Sequence, residues 1–145
     1  MARVLVVQLG TAVLQTTKSG FVTPYVPKVF ALPVFDNGSG LSREERISAL
    51  GLARVLQFAW GSPTMSELMS SLPMSGLDGT LKRSKLQSIA HLKTGSLRDV
   101  AGIAGYVDTA SGKRLILVAV LNHANAHAAR GVLDLLVDWT ALQKP

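Results

Sequence analysis

The 145-residue chain contains no cysteine. Disulfides, thiolate metal sites and a cysteine nucleophile are therefore excluded, although the absence does not choose a compartment. Nor is there a run of about 18 apolar residues, so no membrane-spanning helix is expected, even though hydrophobic residues make up 48% of the chain. No internal repeat or low-complexity tract is present. The glycines of segment 36–41 are not followed by Gly-Lys-Ser/Thr, so they do not form a phosphate-cradling loop. Met1–Gly10 has a cation and a short apolar run but no small-residue cleavage site to close it, and it does not read as a signal peptide. The net charge is +6 and the pI is near 10.1, a balance that favours anionic surfaces. The basic residues are spread out, and the single cluster, Lys82-Arg83-Ser84-Lys85, reads as a solvated loop with no nucleic-acid motif beside it. No metal or cofactor is expected. His123 and His127 are four apart, but no Glu follows His123 and no third ligand stands out.

What the chain does have is one domain's length, with a pattern of helices first and strands after. Asp36–Leu41 is turn chemistry. Ser48 is placed to cap a helix over Ala49–Trp60, with Leu52, Val55, Leu56 and Ala59 as its apolar stripe and Gly61 as its stop. Ser62-Pro63 opens a second helix that turns Met65, Leu68 and Met69 inward. Leu72–Leu81 is a glycine-bearing loop in which Asp78 is suited to turn hydrogen bonding. Strands are expected from Ile89 to Gly95, over Ala101–Val107 and over Arg114–Leu121, with Asp108–Lys113 as the hairpin between the last two. The third strand is apolar on both faces, so both should be covered. A final helix from Ala124 to about Leu142 presents Ala129, Val132, Leu133 and Leu136 on one side, with Trp139 anchoring its end. Three prolines and scattered β-branched residues in Thr11–Phe35 argue against a long helix there. The fold class expected is α+β: a three-stranded antiparallel sheet, the C-terminal helix on one face, and helices from residues 40–72 on the other.

The chemistry-bearing stretch is His91–Asp99, which contains Lys93-Thr94-Gly95-Ser96 on the first of these strands. Lys93 offers a compact cation for a ligand carboxylate. Thr94 offers a hydroxyl to the same group. Gly95 lets another backbone lie against the strand, and the N–H of Ser96 is available to a developing oxyanion. His91 lies at the edge of this stretch without an assignable role, and Arg98-Asp99 reads as a local ion pair at the strand's exit.

A Lys-Thr-Gly triplet alone is common, but here four segments stand in a fixed order: Asp36–Ser48, Leu72–Leu81, Ala90–Val107 and Asn122–Asn125. Together, over Asp36 to about Leu142, they resemble the C-terminal part of the D-alanyl-D-alanine carboxypeptidases of the class C penicillin-binding type, the S13 serine peptidases. The resemblance implies a fragment of the penicillin-binding transpeptidase/β-lactamase-like fold, with residues 1–35 as a divergent segment and 36–145 as the C-terminal part of the peptidase domain. It implies substrate binding by Lys93, Thr94, Gly95 and Ser96, and it implies peptidoglycan D-Ala-D-Ala peptides or β-lactams as ligands. The family's nucleophile lies in Ser-x-x-Lys and its second motif is Ser-x-Asn. No serine of this chain has lysine three residues on, and none of its asparagines has serine two residues before it. The family's second motif is closely followed by a helix that often reads Met-Ala-Arg, so the chain is expected to start just downstream of that motif, as a truncated or frame-disturbed reading of a longer gene. The full family is exported to the periplasm; this chain, translated as written, would stay in the cytoplasm.

Two functional expectations follow. One is a serine-type carboxypeptidase or endopeptidase ancestry in which this chain holds one wall of the site and is inactive alone. The other is a non-catalytic product: a fragment that binds wall peptides, associates with itself or with a complementing N-terminal fragment, or is a gene remnant. The family's sheet has two further strands from its N-terminal part, and the edge left without them is expected to seek a partner.

Overall fold

The structure, a computed structural model, describes residues 3–9, 14–16, 22–24, 32–39, 42–83 and 86–144. Three of its strands, β4 (Ala90–Ser96), β5 (Val100–Asp108) and β6 (Arg114–Asn122), form consecutive antiparallel pairs. A further strand, β1 (Arg3–Leu9), lies parallel to β6 from Arg3↔Leu115 to Leu9↔Leu121, giving the order β1-β6-β5-β4. A separate two-stranded ribbon pairs β2 (Leu14–Thr16) with β3 (Val22–Pro24). The outer edge of β6, expected to lack a partner strand, is thus occupied by residues of this chain. Arg3 begins a strand, where the likeness to the family had implied a helix.

Side-chain alternation divides the sheet into two faces. On β6, Leu115, Leu117 and Ala119 point one way, while Ile116 and Val118 point the other, and all five are buried. Both faces are therefore covered, as the unbroken apolar run predicts. One core joins Leu92, Ile103, Val107 and Leu117 to Leu133 and Val137 of the C-terminal helix α3 (Arg130–Ala141). The other joins Tyr106, Ile116 and Val118 to Ala49, Ala53 and Leu56 of α1 (Ala49–Trp60), with Met65, Leu68 and Met69 of α2 (Met65–Ser71) packed beside it. The result is a layered α+β arrangement: α1 and α2 on one side of the sheet, α3 on the other.

The helix ends follow local chemistry. The Ser48 hydroxyl accepts the Gly51 N–H at 3.0 Å, and Gly61 closes α1. Other details depart from the sequence pattern. The buried stripe of α1 is Ala49, Ala53 and Leu56, while Val55 is exposed, because the sheet receives the helix about one residue position round from the Leu52–Val55 line. Pro63 precedes α2, whose cap position is Thr64. The last helix begins as a tight 3-10 turn over Ala126–Ala129. From Leu133 its inward residues continue through Val137, Thr140 and Ala141, leaving Val132 exposed and Trp139 at the margin.

Gly105 is demanded by the β4–β5 pairing. Its φ is +148°, and a Cβ there would stand 2.2 Å from the His91 carbonyl oxygen. Next to it, the fully buried Tyr106 donates its hydroxyl to the Leu56 carbonyl at 2.7 Å, fastening α1 to the sheet. Its ring stands 5.5 Å from that of Trp60, over which the Arg114 guanidinium lies at 5.4 Å. Arg114 grips Asp108 with both forks of the guanidinium, Nη2 to Oδ2 at 3.0 Å, across the hairpin. That hydrogen-bonded carboxylate raises the Arg114 pKa above its ordinary value.

Burial pushes the Tyr106 phenol above its ordinary pKa of 10.0. The unfolded chain therefore releases this proton first, so the tyrosine's contribution is fully present below about pH 10 and is lost as pH rises through the folded value. Tyr106→Phe should cost about 1 kcal/mol at neutral pH, as expected for one hydrogen bond. It should also flatten the fall in stability above pH 10, as read by urea denaturation at a series of pH values.

Candidate functional site

β4 is one of the two edge strands of the sheet, with β1 at the other side, and the loop before β4 covers only half of its edge. The Leu92 N–H donates to the Pro73 carbonyl at 2.9 Å, and the Ala90 carbonyl accepts the Ser75 N–H at 2.9 Å. Asp78, as expected from its place in a turn, accepts the Met74 N–H at 2.6 Å and shapes this loop. Backbone groups along a strand alternate in direction. The alternation that aims Ala90 and Leu92 outward also aims the N–H and C=O of Thr94 and Ser96 outward, beyond the reach of the Pro73–Ser75 contacts.

The same alternation sorts the side chains. Lys93 is exposed and stands opposite Ala104 on the α1 face, and its Nζ curls round the edge to the Thr94 carbonyl at 2.7 Å. Thr94 and Ser96 stand on the α3 face. Gly95 pairs with Gly102, and among the described residues nothing lies within 4 Å of where its Cβ would be. Among the described residues, neither crowding nor a left-handed φ requires glycine at 95. That is the opposite of the situation at Gly105. The sequence motif therefore arrives as an open wall: a flat strand segment with a cation at its outer edge and two hydroxyls behind it.

Behind Thr94 lies a pocket of about 270 Å³ between the ends of β4 and β5 and the start of α3. Its polar lining is Thr80, Thr94, Ser96, His127, Arg130 and Asp134. Leu81, Ile103 and Leu133 form its apolar floor. The Thr80 and Thr94 hydroxyls are 2.6 Å apart, and Arg130 Nη2 donates to the Thr80 carbonyl at 2.9 Å. Sequence reasoning missed Thr80, Arg130 and Asp134. The one available signal was the spacing of Arg130 and Asp134 one helical turn apart, which ordinarily marks a solvated pair.

One polar residue seen in the sequence has a different partner from the one expected. Asp99 meets Arg43 at 3.4 Å, both largely exposed, in place of the neighbouring Arg98. The Asp99 carbonyl also accepts the His123 N–H at 2.9 Å, tying the β4–β5 turn to the end of β6. His123 lies in a bend with Nδ1 accepting the Asn125 N–H at 3.1 Å, while His127 belongs to the 3-10 turn, so the two do not share an α-helical face. His91 has a buried Nδ1 without a hydrogen-bond partner among the described residues. Lys82 of the basic cluster is exposed, while Ser84 and Lys85 lie outside the described residues.

The base of the wall is held by Asp138 of α3. One of its oxygens accepts the Gln87 N–H (3.0 Å), the Ser88 N–H (3.1 Å) and the Ser88 hydroxyl (2.8 Å). Ser75 Oγ then donates to the Ser88 carbonyl at 2.6 Å and accepts the Ala90 N–H at 3.0 Å. Hydrogen bonds to a charged acceptor are worth about 1.5–3 kcal/mol each when removal leaves donors unsatisfied. Asp138→Ala should lower stability by about 2–3 kcal/mol, seen as a lower urea midpoint at unchanged slope.

Comparison with known proteins agrees with the motif. Residues 30–143 match the D-Ala-D-Ala carboxypeptidase 3 (S13) family. Over 99 residues the chain is 29% identical to the D-alanyl-D-alanine carboxypeptidase DacB of Haemophilus influenzae, covering 64% of this chain and 21% of that protein. Over 110 residues it is 34% identical to the carboxypeptidase DacB of Mycolicibacterium smegmatis, covering 69% of this chain and 24% of that protein. The chain thus spans between a fifth and a quarter of the length of these curated relatives. With the match extending over most of its residues, and with the Lys-Thr-Gly strand at the open edge of the sheet, this chain belongs to the D-Ala-D-Ala carboxypeptidase 3 (S13) family.

Proposed function

We propose that residues 36–145 form the C-terminal part of a penicillin-binding peptidase domain, and that β4 is the wall of its site along which a D-Ala-D-Ala stem peptide of peptidoglycan, or a β-lactam, lies extended. The observation that carries this reading is the pairing of an edge that the described residues leave uncovered with a glycine that none of them requires. A ligand backbone adding to the outer side of β4 would find the N–H and C=O of Thr94 and Ser96 directed at it, with no side chain at Gly95 to hold it off. Lys93 supplies positive charge along the edge, the Thr94 hydroxyl bonds the ligand's terminal carboxylate, and the Ser96 N–H serves the oxyanion.

In this reading the reaction is serine-type acyl transfer. A serine hydroxyl attacks the carbonyl between the two D-alanines, terminal D-alanine leaves, and water releases the acyl group. None of the 13 serines of this chain has lysine three residues later, so the attacking group comes from residues other than these. Substrate placement and oxyanion stabilisation retain only part of the catalysis once a nucleophile unit is missing. The chain alone is therefore a binding wall, inactive until a segment that carries the nucleophile, such as a complementing N-terminal fragment, completes it. Its place of work is outside the cytoplasmic membrane, where peptidoglycan lies; among the described residues no helix is long and apolar enough to cross a membrane.

Two measurements test this. Gly95→Val should leave folding stability within about 0.5 kcal/mol, as for a substitution into open space. It should also abolish the chemical-shift changes that N-acetyl-D-alanyl-D-alanine produces at the Thr94 and Ser96 amides. Unchanged ligand response in the variant would refute the wall. Incubation of the 145-residue chain with fluorescent penicillin should give no labelled band; a band at its mass would show that the chain carries its own nucleophile.

A further inference from the structure

The cation of the motif and its hydroxyls lie on different sides of the sheet. Lys93 stands with Ala104 on the α1 face and reaches only the strand edge, where it binds the Thr94 carbonyl. The side chains of Thr94 and Ser96 line the pocket on the α3 face. A carboxylate that uses those hydroxyls needs its positive charge on that side, and Arg130 lines the same pocket.

Arg130 is held for such a task. A guanidinium has five N–H donors in a planar fork. Its one hydrogen bond among the described residues goes to the Thr80 carbonyl, and the Thr80 hydroxyl in turn bonds the Thr94 hydroxyl. Asp134, one turn further along α3 and lining the same pocket, would ordinarily pair with an arginine at this spacing. No ion pair joins them among the described residues, where the pairs formed are Arg43–Asp99 and Arg114–Asp108. The loop carbonyl holds the guanidinium in place of its helical neighbour, leaving most of the fork uncommitted beside two hydroxyls. The pocket's volume of about 270 Å³ lies below the range typical of drug-sized ligands, which suits one small residue end carrying a carboxylate over an apolar floor.

We propose that Arg130 is the specificity-determining cation of this wall. Its guanidinium receives the terminal carboxylate of the extended D-alanyl ligand together with the Thr94 and Ser96 hydroxyls, while Lys93 serves the outer edge. A planar fork matches a carboxylate bidentately, which an ammonium cannot do. This assignment rests on the wall reading given above.

The test is a titration of the 145-residue chain with N-acetyl-D-alanyl-D-alanine and, separately, with its C-terminal amide, each followed at the backbone amides of Thr94 and Ser96. The acid should bind more tightly than the amide. Arg130→Gln should lower the acid-to-amide preference about tenfold, the scale of one charge-assisted bidentate contact. Because that substitution also removes the bond to Thr80, Asp134→Asn provides a second reading. It breaks no hydrogen bond seen in the structure, takes a negative charge from the pocket, and should strengthen acid binding about threefold through relief of repulsion. A preference unmoved by Arg130→Gln but lost in Lys93→Gln overturns the assignment of Arg130. So does equal binding of acid and amide, which leaves the wall intact. Failure of both ligands to bind overturns the wall and Arg130's role with it.

Discussion

Everything in this molecule hangs on the period-2 alternation of β4, β5 and β6 held in one register. Leu115 to Ala119 are buried in unbroken succession, so neither face of β6 can be left to water. One face takes α3 and the other takes α1 with α2. A slip of one residue would exchange the two faces of a strand, sending Tyr106 away from the Leu56 carbonyl it bonds and Leu117 away from α3. Gly105 locks the register from the β4 side, because only a residue without a Cβ can approach the His91 carbonyl so closely. The Arg114–Asp108 pair, stacked on Trp60, fastens the hairpin end of the same ladder.

The candidate site is a consequence of that register. Once Leu92 is placed in the core and its N–H is given to Pro73, the backbone direction at Thr94 and Ser96 and the faces of Lys93 and Thr94 are settled by alternation alone. The loop that covers the first half of β4 stops short of the second half, so the open edge coincides with the Lys-Thr-Gly segment. The two halves of β4 differ in how their polar groups are placed. At its start, Asp138, Ser88 and Ser75 satisfy the polar groups, and at its end the polar groups face outward.

The sequence reveals most where local chemistry decides the outcome. Ser48 and Gly61 bound α1 because a side-chain oxygen and a glycine act over only a few residues. The hairpin at residues 109–113 and the turn role of Asp78 are local in the same sense. The inward faces of the helices are less legible. Val55 and Val132 fit a helical stripe yet are exposed, because the crossing of a helix over a twisted sheet determines which side is inward. The final helix opens with a 3-10 turn, for which neither spacing nor composition carries a signal. Asp99 pairs with Arg43, which is distant in sequence, and no rule of neighbouring charges anticipates that contact.

By itself the sequence determined the family and, from Ala49 onward, the order of the helices and the three antiparallel strands. It placed Lys93, Thr94, Gly95 and Ser96 on one strand, and it lacked a Ser-x-x-Lys unit; these follow from residue identity and spacing. Only the tertiary structure decided that β1 lies along β6 and that Thr80, Arg130 and Asp134 gather behind the motif. The reason is physical: these residues are separated by tens of positions along the chain. Only the packing of α3 and the Gly79–Arg83 turn onto the α3 face of the sheet brings them to one pocket.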